Sequence, residues 1–395
     1  MDEVYIVDGT LREGEQSPGV HFTTDEKLRI ARELDRIGVP LLDVGMPSVS
    51  AEEREAIRAI TQAGLRAAIG VSARLSRDEV DQAVACGADE IFLICSVSPL
   101  HLRYKLGIDE SEVKVLAKDV VRYSMQKGLI VNFVAEDACR AEVPFLCDII
   151  NGAHTWGARR AFICDTVGIA EPFQMRSLIE KIRSAIPPAM ALGCHCHNDL
   201  GLATANTLAA VEAGVTYPSV TVNGIGERAG NAPLHEVVVA TAKHPDIKHG
   251  IAMQGLYGIS KLVERCSGIL IPPHAPVVGL NAFRHESGIH VDGILKHSQT
   301  YTGVDPHDLG RAPAFILGKH TGTQLIKYLL QQRGYQASER ELQEIREKVK
   351  EWKTRDGKAE IERMVKEIEG FYERCLGFPQ DAFWQIVEGV MQPDG

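Results

Sequence analysis

Along the first 240 residues, eight short apolar or β-branched runs alternate with stretches of helical period, and this repetition constrains the fold more than anything else in the chain. The runs are Val4–Val7, Leu41–Gly45, Ala67–Val71, Glu90–Cys95, Leu129–Val134, Ala161–Cys164, Ala191–Cys196 and Val220–Val222. Between them lie amphipathic stretches such as Thr24–Ile37, Ala51–Ala63, Arg77–Ala85, Glu110–Gln126 and Pro172–Ala185. The first opens on a capping box, Thr23 with Glu26 three residues on, which pairs backbone donors that a helix start leaves free. A strand followed by a helix, repeated, implies a parallel sheet, because parallel neighbours need a crossover between them. An open doubly wound sheet and a closed barrel both meet that description. Eight repeats at a spacing of about 30 residues favour closure. The predicted fold class is α/β: a (β/α)8 TIM barrel followed by a mostly helical C-terminal region.

Composition supports a large folded core and excludes several function classes. Of 395 residues, 45% are hydrophobic and 24% charged, so disordered and low-complexity classes are out. A net charge of −10 argues against nucleic acid as a partner, since that needs a basic face to displace counterions. It leaves room for a small anionic substrate held by a few local cations. No apolar run reaches the roughly 18–20 residues of a membrane span, and Met1-Asp2-Glu3 lacks the basic start of a secretory signal. Nine scattered cysteines read as reduced thiols, so the expected location is the cytoplasm. After Lys243 the alternation stops, and Pro245, Pro272, Pro273 and Pro276 break up a linker-like stretch. The division expected is a barrel over 1–243, a linker and motif-rich subdomain over 244–323, and a charge-rich helical region over 324–395.

Functional groups of such a barrel sit where strands end, on the C-terminal face. Polar clusters stand at five of these ends. They are Asp8–Gln16, Glu136-Asp137, Asp165-Thr166, Cys194–Asp199 and Asn223–Asn231. The seventh-strand motif is the sharpest. Strand side chains alternate faces, so His195 and His197 point one way while Cys194 and Cys196 point the other. Two imidazoles projecting together suit a divalent metal, and Glu13 or Asp8 from the first strand end would complete a two-histidine, one-carboxylate set. Other patterns fail on spacing. His285–His290 places its second histidine one residue late for a zinc-protease helix, Gly224–Gly230 is one residue too long for a dinucleotide fingerprint, and Gly318–Thr321 lacks the upstream glycine of a P-loop.

Together these motifs resemble one family, the homocitrate, 2-isopropylmalate and citramalate synthases, which are metal-dependent acyl-CoA condensing enzymes. The matching stretches are Asp8–Gln16, His195–Gly201, Asn223–Asn231, His285–Gly293 and Gly318–Gly322. The resemblance implies Glu13, His195, His197 and Asn231 as ligands of a divalent metal (Mg, Mn, Co or Zn). It implies acetyl-CoA as co-substrate, Arg12 on the oxo group of a 2-oxo acid, and Gln16 and Thr166 on that acid's carboxylate. Glu136, His290 and Tyr301 match acid/base positions, the last two supplied in the family by the partner of a homodimer. Lyases on the same barrel look different, with a Gly-Cys-Pro loop where this chain has Gly226–Asn231.

Lysine-pathway homocitrate synthases carry an Arg and a Ser where this chain has Asn132 and Val134. The segment Val131–Ala141 instead looks like the nitrogen-fixation homocitrate synthases or the phosphonomethylmalate synthases. Arg74, Arg103 and Lys105, in the loops after strands three and four, are the candidates for replacing the missing charge. The function expected is therefore condensation of acetyl-CoA with a 2-oxo acid whose distal group is anionic, homocitrate synthase-like. The alternatives are a phosphonopyruvate acceptor, the isopropylmalate or citramalate reaction, and, as a different class, a metal-dependent aldolase or lyase.

Overall fold

The computed structural model describes residues 3–355, 358–375 and 380–391. Eight parallel strands close into one barrel in chain order. They are β1 (Val7–Asp8), β2 (Leu41–Asp43), β3 (Ala68–Arg74), β4 (Glu90–Ser96), β5 (Ile130–Glu136), β6 (Arg160–Asp165), β7 (Ala191–Cys196) and β8 (Tyr217–Val220). The helices that cover them are α1 (Thr24–Arg36), α2 (Ala51–Thr61), α3 (Arg77–Ala85), α4 (Glu110–Gln126), α5 (Val143–Trp156), α6 (Pro172–Ala185), α7 (Ala203–Glu212) and α8 (Leu234–Ala242). Their starts follow the expected chemistry. Thr23 and Asp109 form capping boxes, Ser50 and Ser76 accept from the third residue on, and Pro172 opens α6.

The barrel interior is a packed core rather than a pore. Val7, Leu41, Phe92, Phe162 and Cys164 form one buried cluster with Ala68, Val134 and Tyr217 against it. The Phe92 and Phe162 rings meet edge to face at 5.4 Å. Gly193 makes room for this: a β-carbon there would lie 2.4 Å from the Phe162 ring. Below the aromatic layer, at the N-terminal strand ends, Arg160 Nη1 donates to Glu90 Oε2 (2.6 Å) and to Asn132 Oδ1 (3.0 Å). The Arg160 guanidinium also stands 4.4 Å from the centre of the Tyr217 ring.

Two strands differ from expectation at their edges. The apolar pattern predicts a last strand over Val220–Val222, yet β8 is Tyr217–Val220, with Pro218 inside it. Proline lacks the donor a strand interior uses and so masks the strand from a reading by residue type. The first strand is paired only over Val7–Asp8. The linker-like stretch after Lys243 also contains a helix, α9 (Leu256–Ser267), which packs on α1. The first compact unit therefore runs Met1–Leu270, and the second is Ile271–Gly395.

The second unit holds a two-stranded parallel pair, β9 (Arg284–His285) with β10 (Ala314–Phe315). Its helices are α10 (Gly288–Lys296), α11 (Thr323–Gln332), α12 (Glu339–Arg355), α13 (Lys358–Cys375) and α14 (Gln380–Met391). No helix among the described residues is long and apolar enough to cross a membrane.

Candidate metal centre and active site

His195 lies on β7 beside Cys164 of β6 and Ser219 of β8, and shares the inward face of the barrel with them. His197 follows two residues on, so both rings enter the mouth together. Their Nε2 atoms stand 3.3 Å apart, and the rings are edge to face. Glu13 completes the group. Its Oε1 is 3.5 Å from His197 Nε2, and one ligand atom from each of the three side chains falls within 4.8 Å of the others. All three are buried. The backbone of the turn after β1 puts Glu13 there: Arg12, Glu13 and Gly14 all donate to Gly9 O. Asp8, the alternative carboxylate, is not in the cluster. It accepts from Thr10 N instead (2.9 Å), and burial holds its carboxyl at about 7.

The protonation states suit a cation. Burial, then the neighbouring His197, pushes the His195 imidazole down to about 3, so it is neutral at physiological pH as a ligand must be. Its Nδ1 is 3.1 Å from Ser219 Oγ, which leaves Nε2 for the centre. Burial alone would raise the Glu13 carboxyl, but Arg12 and then the two histidines hold it below its ordinary value.

Asn231 enters from the loop after β8. Asn198 N donates to Gly230 O (2.9 Å) and Ala232 N to Cys196 O (3.2 Å), which ties that loop to the end of β7 and sets Asn231 in a backbone bridge with His197. Its Nδ2 donates to Ile225 O (3.1 Å), whereas its buried Oδ1 has no partner. Gly226 permits this packing, since a β-carbon there would fall 2.0 Å from Asn231 Nδ2. An oxygen left unpaired beside two neutral imidazoles and a carboxylate is a donor set that fits a divalent metal.

Arg12 borders the group. Its guanidinium hydrogen-bonds Glu13, and its Nε donates to Asp43 Oδ2 (2.8 Å), which also accepts from Ser72 Oγ (2.8 Å). Burial opposes its charge, but Glu13 and Asp43 hold the guanidinium above its ordinary value. Thr166 Oγ1 accepts from Asp137 N (2.8 Å) and keeps its own proton to donate. Gln16 is exposed at the end of the turn Gly14–Gln16. Arg74 is spent on Glu79, and Lys105 on both oxygens of Glu136 at 2.6 and 2.7 Å. Among the described residues Arg103 makes no ion pair; it lies over the Tyr104 ring at 5.1 Å. His290 and Tyr301 belong to the second unit, where their rings stack at 4.2 Å.

Three contributors escaped the sequence reading. Asp43 ends β2 in an ordinary apolar context, and Ser219 sits in the strand that Pro218 disguised. Arg228, inside a motif already singled out, grips Asp199 with two bonds of 2.8 and 2.9 Å and donates to Thr166 O (2.8 Å), closing the rim beside His197. The periodicity of β2 pointed inward at Asp43 and was the one usable signal.

Residues 3–263 match the family model described as HMGL-like, and residues 277–357 match the one described as homocitrate synthase post-HMGL domain-like. A putative (R)-citramalate synthase CimA of Methanopyrus kandleri is 45% identical over 349 residues, 88% of this chain and 69% of that protein. The homocitrate synthase AksA of the same organism is 44% identical over 88% of this chain and 87% of its own. Among solved structures, an HMG-CoA lyase of Bacillus subtilis superposes with a TM-score of 0.63 at 20% identity, over 69% of this chain and 96% of that one. At that identity the likeness concerns the barrel fold.

Proposed function

The chain belongs to the HMGL-like family, among relatives named citramalate, homocitrate and 2-isopropylmalate synthases, and from that premise we propose that it condenses acetyl-CoA with a 2-oxo acid. The observation that carries this is a buried Glu13–His195–His197 group, with the unpaired Asn231 Oδ1 and the guanidinium of Arg12 beside it. A divalent cation held there would supply Lewis acidity and a template for the oxo and carboxylate oxygens of the acceptor. Nitrogen and oxygen donors of this kind suit Mg, Mn, Co or Zn.

The side chains divide the remaining work. Glu136, ionised at the end of β5, takes a proton from the methyl carbon of acetyl-CoA. The enolate so formed attacks the ketone carbon, and negative charge gathers on the former oxo oxygen. Arg12 is held charged and oriented by Asp43 to meet that charge, an effect typically worth about 3–4 kcal/mol for one preorganised donor. Thr166 has a hydroxyl proton for the acceptor's carboxylate. Protonation of the alkoxide and attack of water on the thioester release CoA and a 2-substituted malate. His290 and Tyr301 are the further acid/base groups proposed, acting from the second unit of a homodimeric partner. Gln16 is proposed on the carboxylate.

The finer question is the acceptor. An anionic distal group, as in 2-oxoglutarate, is the first reading, supported by Arg103 in the turn after β4, which makes no ion pair among the described residues. A second reading, a short apolar distal group, is favoured by the apolar inward residues of β4, β5 and β6. Cys164 lies beside His195, Val134 pairs with Ile94 and, one inward position deeper, with Phe162, while Asn132 lies deeper still, on Arg160 and Glu90. Thiol release from acetyl-CoA with a divalent metal and a panel of 2-oxo acids tests both. Release with 2-oxoglutarate or phosphonopyruvate as best acceptor supports the first reading. A tenfold preference for pyruvate or 2-oxoisovalerate, about 1.4 kcal/mol in the transition state, replaces it with the second. No release with any oxo acid overturns the condensation itself.

A further inference from the structure

Glu136 is held from one side by a single stretch of chain. Ser96, the last residue of β4, donates its hydroxyl to Glu136 Oε2. A π-helical turn follows over His101–Leu106 and is closed by Gly107 in the left-handed region. Turns of this kind are rare and concentrate at functional sites. This one sets His101 and Lys105 on the same side, toward the carboxylate. Lys105 Nζ reaches Oε1 at 2.6 Å and Oε2 at 2.7 Å, and His101 Nδ1 lies 3.3 Å from Oε2. His101 is itself steadied by Asp137, whose Oδ2 is 3.7 Å from its Nε2. Asp137 is nearly fully buried with φ at 64°, and is fixed there by Ser98 and by Arg140 through bonds of 2.8 to 3.1 Å.

Stability does not account for this arrangement. The Lys105 side chain is 47% exposed, and an ion pair so open to water adds little to stability. Its geometry is nonetheless specific, with one ammonium bridging both oxygens of a carboxylate that His101 of the same turn and Ser96 of β4 also contact. We propose that Lys105 is a positioning residue that, with His101, orients Glu136 and keeps it charged at the barrel mouth, and so sets the lower pH limit of the reaction. This rests on the reading of Glu136 as the base toward acetyl-CoA.

The charge of Glu136 is also felt by the thiols of Cys95 on β4 and Cys164 on β6, which stay protonated in their buried positions. Burial by itself would raise the Glu136 carboxyl. The hydrogen bonds from Lys105 and Ser96, then the charges of Lys105 and His101, bring it below its ordinary value. A base works only when ionised, so removing Lys105 raises the pH at which activity falls off on the acid side.

The test uses the full-length, metal-loaded enzyme with acetyl-CoA and its best acceptor, comparing Lys105→Met, Lys105→Arg and Glu136→Gln with wild type. In Lys105→Met the acid limb of kcat/KM moves up by about one pH unit and kcat falls by roughly tenfold. The KM for acetyl-CoA and the unfolding temperature stay close to wild type, and Lys105→Arg restores the limb. An acid limb at the wild-type position in Lys105→Met, whatever its rate, overturns the inference. If Glu136→Gln keeps the wild-type rate, the base assignment fails instead, so the two failures are distinguishable.

Discussion

His195 shows how much one position decides. Its Nδ1 is occupied by Ser219 and its Nε2 faces His197, so truncation would remove a proposed metal ligand without opening a path for another side chain. His195→Ala should lose metal-dependent turnover by more than the roughly 10–100-fold that a lost outer-shell partner costs. Circular dichroism and unfolding should report an intact barrel. Full activity after chelation and metal return would remove His195 from the ligand set. At this scale the strand alternation of Cys194–His197 was enough to tell which two side chains share a face. The partner on Nδ1 was not legible, because it comes from a strand paired across the sheet.

Between elements, the most consequential link is Lys27 of α1. It is almost fully buried, and its Nζ meets Glu15 Oε2 (2.6 Å), Glu53 Oε2 (2.5 Å) and Leu11 O (3.2 Å). Three donors thereby join α1, α2 and the turn that carries Arg12 and Glu13. Glu53 Oε1 in turn accepts from Met46 N (3.2 Å) after β2. Lys27→Met should cost about 3–5 kcal/mol in chemical unfolding, because two carboxylates would be left without their counter-charge. A loss below about 1 kcal/mol would show that the carboxylates reach water or protonate cheaply. The helices themselves were readable: α3, α4 and α6 begin and end where capping and periodicity put them. Strand β8 was not, since Pro218 contradicts strand chemistry locally and is tolerated only where the ladder does not need its donor. Lys27 looked like one more charged residue of an amphipathic helix, and only packing of α1 against the barrel turns it inward.

For the whole molecule, assembly decides which chain completes each site. His290 and Tyr301 stack together in the second unit, whereas Glu13 belongs to the first. If the second unit serves a partner's barrel, mixing His290→Ala with Glu13→Ala chains should regain up to about a quarter of the wild-type rate, since one of two sites in half the dimers is then complete. Coexpression followed by the thiol-release assay measures this, and strictly inactive mixed dimers would assign each site to a single chain. The repeat of strand and helix was enough to determine a parallel barrel, because patterning at periods of two and 3.6 is local and survives without knowledge of neighbours. It also pointed to the strand ends where Glu13, His195 and His197 come together. Tertiary structure alone decided how the charges are spent. Arg74 and Lys105 read as free cations in the chain, yet Glu79 and Glu136 neutralise them. Asp43 and Ser219 read as nothing, yet they orient Arg12 and His195. The reason is physical: an ion pair or hydrogen bond is set by distances of a few ångströms between residues tens of positions apart, and only closure of the barrel fixes those distances.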